Sequence, residues 1–270
     1  KTSSEFYSRQ MISIEIPVLH GKYLNEVFES IRAQTFQDYE VVVVNSSQTS
    51  EVTDLIKQYG FKEVRENVRL LKARYLAHKK SRGDYELLLD ETRVLREDAL
   101  ELLSSLSHDM VIIGEEEIGD SFWVKLANLD KENIMECNTP EAIKGFALPR
   151  LFKREILDLA FERLKENLGG KFDEVVFPDH ELIYYEASKV SNDVFVLKEK
   201  LIRHYGDVEL LDIIRKYYRY GKTLKVLEDT PYSEFTKISR KRRKICKGSK
   251  FILYMLYLMR GIPFLLGYVL

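Results

Sequence analysis

The stretch from Tyr85 to Leu95, YELLLDETRVL, carries two carboxylates and a guanidinium off the end of an apolar run. Asp90, Glu91 and Arg93 are costly to bury unless they are paired, hydrogen-bonded or bound to a metal. The carboxyl ends of strands in an open α/β sheet are also where ligands sit; the plainer alternative is a strand that surfaces into a polar loop. A second apolar run, YEVVVV, delivers Asn45 and Ser46. The Asn45 amide can donate to and accept from a ligand, or both residues can cap the next helix and make a turn. In FPDHEL, Asp179 and Glu181 follow Pro178. Either carboxylate could act as a general base, and a helix start favours both of them in any case. His204 offers an imidazole to a metal or an anion, unless it is an ordinary packed residue. Arg74 and Arg82 are cations that either face an anion or lie exposed on a helix, the latter being the reading for Arg82. Trp123, the only tryptophan, could stack on a ring-shaped ligand but reads first as a packing residue.

The elements that must position these groups follow from hydrophobic period. MISIEIPVL (11–19) reads as a first strand ending at Pro17, and Leu24, Val27, Phe28 and Ile31 predict a helix from Tyr23 to Gln34. YEVVVV, rich in β-branched residues, suits a central parallel strand covered on both faces. Val52, Leu55, Ile56 and Tyr59 form a short helix, and LLKARYLAHKKS another that stops at Gly83 in a left-handed cap. YELLL follows as a strand. This alternation predicts a parallel βαβ sheet. Beyond it come a strand DMVIIG, a strand-to-helix passage closing at Gly169-Gly170, a helix DHELIYYEASK, a strand VFVL and a helix ending at Gly221.

In order, these segments resemble the inverting nucleotide-sugar glycosyltransferases of family 2, of prokaryotic or archaeal type, with the GT-A fold. ISIEIPVLHGKYLNEVFESIRAQTFQDYEVVVVNSS is similar to the family's opening, ARYLAHKKSRGDYELLLDET to the approach to its metal-binding D-x-D motif, and GGKFDEVVFPDHEL to its acceptor-site segment. IRHYGD and RKYYRYGK resemble its late features. The resemblance implies an α/β, Rossmann-like, mostly parallel sheet flanked by helices. It implies a GT-A domain over 1–235, with a nucleotide-sugar half at about 11–114 and an acceptor half at about 115–235; the basic and apolar composition of 236–270 sets that stretch apart as a membrane-associating tail. It also implies a UDP- or GDP-linked donor contacted by Pro17, Asn45, Ser46, Arg74, Asp90, Glu91 and Arg93. A divalent cation, Mn2+ or Mg2+, would sit on Asp90, Glu91 and His204. Asp179 would be the general base, with Glu181 as the alternative. Two departures stand out: Thr92 occupies the place of the usual second aspartate, and Asn45-Ser46 that of an acidic pair. Glu91 could reach in as the ligand, Arg93 could neutralise the diphosphate instead, or the site could bind nucleotide without turnover. On this reading Asn45, Asp90 and Asp179 converge on one pocket.

Composition adds a location. Eight basic residues and no acidic one lie between Lys237 and Lys250, so the chain before them is strongly acidic despite a net charge of -1. The run leads straight into FILYMLYLMRGIPFLLGYVL, which points to an anionic membrane surface rather than to nucleic acid. Arg260 would cost roughly 2.5–3.5 kcal/mol at a bilayer centre. With Gly261 and Pro263 as breakers, two short interfacial segments are expected, with a buried hairpin or an oligomer contact as the alternative. A membrane-docked enzyme implies a lipid-linked or cell-surface glycan acceptor on the cytoplasmic face, or polyprenyl phosphate itself. Cys137 and Cys246 suggest no disulfide framework, and a reducing compartment is expected. The N-terminal KTSSEFYSRQ shows no cleavable signal, and the Lys- and Glu-rich composition suggests a heat-adapted source.

Overall fold

The computed structural model describes residues 10–206, 209–237 and 243–270. Most of the N-terminal stretch, Asp207 of IRHYGD, and Arg240, Lys241 and Arg242 of the basic run lie outside the described residues. An eight-stranded sheet has the order β3-β2-β1-β4-β7-β6-β8-β5. Here β1 is Ile12–Val18, β2 Tyr39–Asn45, β3 Lys62–Arg65, β4 Tyr85–Leu88, β5 Arg93–Leu95, β6 Met110–Glu117, β7 Leu151–Lys153 and β8 Val194–His204. The first four strands are parallel, β7 runs antiparallel to both β4 and β6, and β5 runs antiparallel to β8.

The period-two pattern of β1 explains the layering. Ile12, Ile14, Ile16 and Val18 face a core built with α1 (Leu24–Arg32) and α2 (Ser50–Tyr59). Ser13 and Glu15 alternate to the opposite side. β2 is apolar on both faces: Val41 and Val43 join the first core, while Val42 and Val44 pack on Ala73 and Ala77 of α3 (Leu70–Lys80). A second large core lies under α6 (Arg154–Leu168) and α7 (Asp179–Ser188). Each fully buried side chain such as Phe28 or Phe161 contributes about 1.5–3 kcal/mol. Gln34 closes the turn after α1, donating to Arg96 O at 2.8 Å and accepting from Leu100 N at 2.9 Å.

Several details differ from the sequence reading. α3 ends at Lys80, and Ser81 leaves it in an extended conformation. Gly83 is needed for closeness rather than for a left-handed cap, since a Cβ there would lie 2.6 Å from Ser13 N. β1 runs one residue past Pro17, and β6 continues polar to Glu117. Phe122–Cys137 is a helix, α5, that the sequence reading did not assign; α4 (Ala99–Ser104) is short. Gly221 sits inside α8 (Leu210–Leu224) rather than ending it.

The tail is one helix, α9 (Lys250–Val269), not two segments broken at Gly261 and Pro263. It runs antiparallel to α8 in backbone contact: a Cβ at Gly221 would fall 1.9 Å from Phe264 O, and one at Gly267 2.0 Å from Tyr218 O. That packing carries the helix through Pro263. Arg260 ion-pairs with the buried Asp130 of α5 at 2.6 Å, and Arg243 and the Tyr257 hydroxyl reach the same carboxylate. Cys137 and Cys246 form a disulfide that ties the end of α5 to the approach of α9. The sequence reading drew no disulfide framework from these two cysteines and expected a reducing compartment; their pairing corrects the first. Intracellular disulfides are rare except in heat-adapted organisms.

Candidate active site

Arg74 organises the carboxyl ends of the strands. It lies on the buried face of α3, and its Nη2 donates to Asp90 Oδ1 at 2.7 Å while its Nε donates to Asp179 Oδ2 at 2.6 Å. Asp90 follows β4 and Asp179 opens α7, so one guanidinium ties the sheet edge to the helix. The other Asp90 oxygen takes Arg93 and, at 3.5 Å, Arg150. Burial alone would raise the Asp90 carboxyl, but Arg93, Arg74 and Arg150 hold it well below the usual carboxylate range. Asp179 has the opposite balance: burial pushes its carboxyl up, and Arg74 only partly offsets this.

A second row of groups extends the cluster, and the sequence reading missed most of it. Glu115 bonds Arg150 and lies 3.2 Å from Lys131 Nζ, and Glu117 is 2.9 Å from the same ammonium. His204 Nδ1 lies 2.9 Å from Glu117 Oε2. Burial and Arg93 lower the imidazole to about 4, against the pull of Glu117. The ring is therefore neutral near pH 7, with Nδ1–H donating to Glu117. Four cations (Arg74, Arg93, Arg150, Lys131) face four carboxylates (Asp90, Asp179, Glu115, Glu117). A cavity of about 280 Å³ adjoins them, lined by Arg93, Lys131, His204, Lys216 and Arg260 among others.

Comparison with known proteins identifies the first half of this frame. Residues 13–110 match the model of Glycosyl transferase family 2. Over these residues the chain is similar to the family 2 glycosyltransferases. It is 22% identical over 214 residues to EpsH of Bacillus subtilis strain 168, provisionally designated a glycosyltransferase, covering 73% of this chain and 60% of that protein. It is 26% identical over 104 residues to the glycosyltransferase GlyG of Streptococcus pneumoniae, covering 35% of this chain and 34% of GlyG. The chain thus spans about 60% of the length of EpsH and about a third of that of GlyG. Solved structures share the GT-A fold. The mannosyltransferase PcManGT of Pyrobaculum calidifontis, solved with GDP-Man and Mn2+, superposes with a TM-score of 0.57 at 16% identity, over 97% of this chain and 74% of its own. Residues 1–349 of TarS from S. aureus give 0.56 at 15%, over 96% of this chain and 81% of that one.

Within the family 2 frame, the remaining expected residues take different places. Glu91 does not turn toward Asp90; its carboxylate accepts from the backbone N–H groups of Leu19, His20 and Gly21, the last at 2.5 Å, and closes the loop after β1. Asn45 is buried and not part of the Asp90–Asp179 cluster. Its amide donates to Thr53 and Glu63 and accepts from Ser47 N and Oγ. Ser46 Oγ donates to Glu66 O. These two side chains hold the turn after β2, and Pro17 lies buried in β1 beside Val44. Arg82 is exposed against Glu40. Trp123 packs with Leu126, Leu253 and Leu256 beside the cavity. Glu181 points into a separate cavity of about 690 Å³ between α7, α8 and α9, lined by Phe177, Tyr217, Tyr220, Tyr257 and Phe264. Gly145 makes room for that carboxylate.

The proposed metal set of Asp90, Glu91 and His204 is not assembled. A hard divalent ion wants several free oxygens. Both Asp90 oxygens are taken by guanidinium groups, Glu91 is spent on the loop, and Thr92 O accepts from Tyr205 N at 2.8 Å. As folded, these residues do not fit the ion.

Proposed function

We propose that this protein transfers a sugar, with inversion, from a UDP- or GDP-linked donor to a lipid-linked or cell-surface glycan acceptor. The observation that carries the reading is Arg74 holding Asp90 and Asp179 together at the strand ends of a family 2 domain. In that role an acceptor hydroxyl attacks the anomeric carbon, the bond to the nucleotide diphosphate breaks, and the proton passes to Asp179. Asp179 suits this task because burial raises its basicity. The cations Arg93, Arg150 and Lys131 stand where the leaving diphosphate gains charge, and pre-oriented cations stabilise such a group without a metal step. The Mn2+ of PcManGT is therefore not carried over.

The acceptor half is proposed for 115–235, with the aromatic cavity beside Glu181 taking the acceptor's sugar rings or polyprenyl chain. The tail, 236–270, is proposed to rest on an anionic membrane surface at the cytoplasmic face. α9 is long and apolar enough to cross a membrane by length and composition. Its outer stripe of Phe251, Tyr254, Leu258, Ile262, Leu265 and Val269 is exposed, and the basic run precedes it. Polyprenyl phosphate acting directly as acceptor is a narrower form of the same reading. A catalytically silent nucleotide-sugar-binding protein is the rival, favoured by the saturation of Asp90 and by Thr92.

Release of nucleoside diphosphate across a panel of donors and acceptors, in buffer with Mn2+, with Mg2+ or with brief chelator treatment, tests this. Turnover that survives chelation and falls on Arg93→Met is expected. Calorimetric binding of a donor with no turnover under any condition would favour the silent protein.

A further inference from the structure

One turn beyond Arg74 on α3, His78 reaches the sheet at a second polar cluster that the transfer reaction does not use. Glu15 of β1 and Glu86 of β4 face α3 from neighbouring strands, and all three side chains are buried to within 1%. Each carboxylate has one oxygen held by a donor. Glu15 Oε1 accepts from Ser81 Oγ at 3.2 Å, and Glu86 Oε1 from Arg154 Nη1 at 3.1 Å. The remaining oxygens are differently placed. Glu86 Oε2 lies 2.8 Å from His78 Nδ1, and Glu15 Oε2, fully buried, has no hydrogen-bond partner among the described residues. One ligand atom from each of the three lies within 4.8 Å of the others.

The far side of the ring offers a partner for its proton. His78 Nε2 is 3.0 Å from Asp158 Oδ1, a carboxylate that reaches solvent. With the Nε2 proton given to Asp158, Nδ1 presents a lone pair beside Glu86 Oε2, with a Glu15 carboxylate oxygen close by. Three lone pairs then converge in an interior where an unmatched carboxylate costs several kcal/mol. A carboxylate orienting a histidine through its second nitrogen is the recurrent outer shell of a metal ligand.

We propose that Glu15, His78 and Glu86 bind a structural divalent cation of the zinc class, with Asp158, Ser81 and Arg154 orienting them. Charge supports it: two carboxylates match a dication, and Asp158 offsets Arg154. The imidazole selects against Mg2+ and Ca2+, which prefer oxygen ligands only. A surface cavity of about 340 Å³, lined by Tyr75, His78, Asp158 and Phe161 among others, reaches the outer side of the His78 ring. The ion clamps α3 onto β1 and β4 and so fixes the helix that carries Arg74. Shared protons are the competing way to fill the gap.

The test uses the full chain without nucleotide. Co2+ added to metal-stripped protein is expected to give the visible d–d bands of a low-coordinate site at one equivalent. Zinc is expected to remain at one equivalent after gel filtration and to raise the melting temperature. Glu15→Gln, which keeps the shape and can still hydrogen-bond Glu86, should weaken Co2+ binding about 100-fold or more, while Asp90→Asn leaves the stoichiometry at one. If Glu15→Gln does not fold, zinc-edge absorption of the wild-type protein decides, with one nitrogen and two carboxylate donors expected. Wild-type protein that retains no zinc and shows no Co2+ bands overturns the proposal, as does a bound ion lost with Asp90→Asn but kept with Glu15→Gln.

Discussion

Asp90 and Asp179 come from opposite halves of the chain, yet each accepts a hydrogen bond of 2.6–2.7 Å from the same buried guanidinium. Arg74 is therefore a structural clamp between the end of β4 and the start of α7, joining the carboxylates proposed for the donor and acceptor sides. Arg74→Met removes the only cation that ion-pairs with Asp179 among the described residues and leaves that carboxylate buried. The expected loss is about 3–5 kcal/mol of unfolding free energy, read by urea titration. Arg74→Lys cannot span both partners and should recover stability more than turnover. A loss under about 1 kcal/mol for the methionine variant would contradict the clamp.

With Asp179 as the proposed general base, the acid limb of the pH–rate profile follows from its carboxyl. A general base works only when ionised, and burial raises this carboxyl above its ordinary value while Arg74 opposes the rise. Turnover is therefore expected to climb with increasing pH through a midpoint above that of an exposed aspartate, and to fall as pH drops below it. Asp179→Asn should lower kcat by about 10²–10⁴ and remove that limb, with little change in donor affinity. Glu181→Gln should leave the limb in place. If Glu181→Gln abolishes the limb instead, the proton goes to the carboxylate in the aromatic cavity.

What the sequence reveals here depends on whether a residue's neighbours are local. β1, β2 and β4 are legible because their burial is written in apolar runs, and α1 because Leu24, Val27, Phe28 and Ile31 repeat on one face. β5 is three residues long, too short for any period. α5 hides because two of its buried positions, Asp130 and Asn133, are polar and answer to the distant tail. Arg150 and Glu115 carry no motif; the only signal was that β6 runs on into three glutamates. Gly221 resembled a helix stop because the close approach of α9 cannot be seen from α8 alone. Glu91 and Asn45 were expected to face a ligand, but each had nearer backbone and side-chain partners.

The disulfide between Cys137 and Cys246 spans a sequence separation of 109 residues. Closing a loop of that size limits the unfolded chain and is worth on the order of 4–5 kcal/mol in the chain-entropy description. Thiol titration of the denatured, unreduced protein should find no free cysteine. Reduction should lower the unfolding free energy by a few kcal/mol, with the loss concentrated where α9 joins the body. Two titratable thiols in protein purified under air would contradict the pairing.

The last prediction concerns α9, which divides its apolar surface between two partners. Leu253 and Leu256 are buried in the cluster with Leu126, and Phe264 packs beside the second core. Phe251, Leu258, Ile262 and Val269 face outward. An exposed apolar stripe of this length on a soluble surface is a liability unless something covers it, and lipid is the proposed cover. The basic residues that precede it add about 1 kcal/mol each near an anionic bilayer. Sedimentation with vesicles should show binding that is strong with anionic lipid, weak with neutral lipid, and reduced by salt. Leu258→Glu with Ile262→Glu should abolish it while leaving the melting temperature nearly unchanged, because both side chains are exposed. Asp130→Ala should act in the opposite sense. It strands Arg243 and Arg260 without their carboxylate, loosens α9 from the body and exposes its inner face, so stability falls while vesicle binding rises. Equal binding of the wild type and the double glutamate variant would remove lipid as the cover.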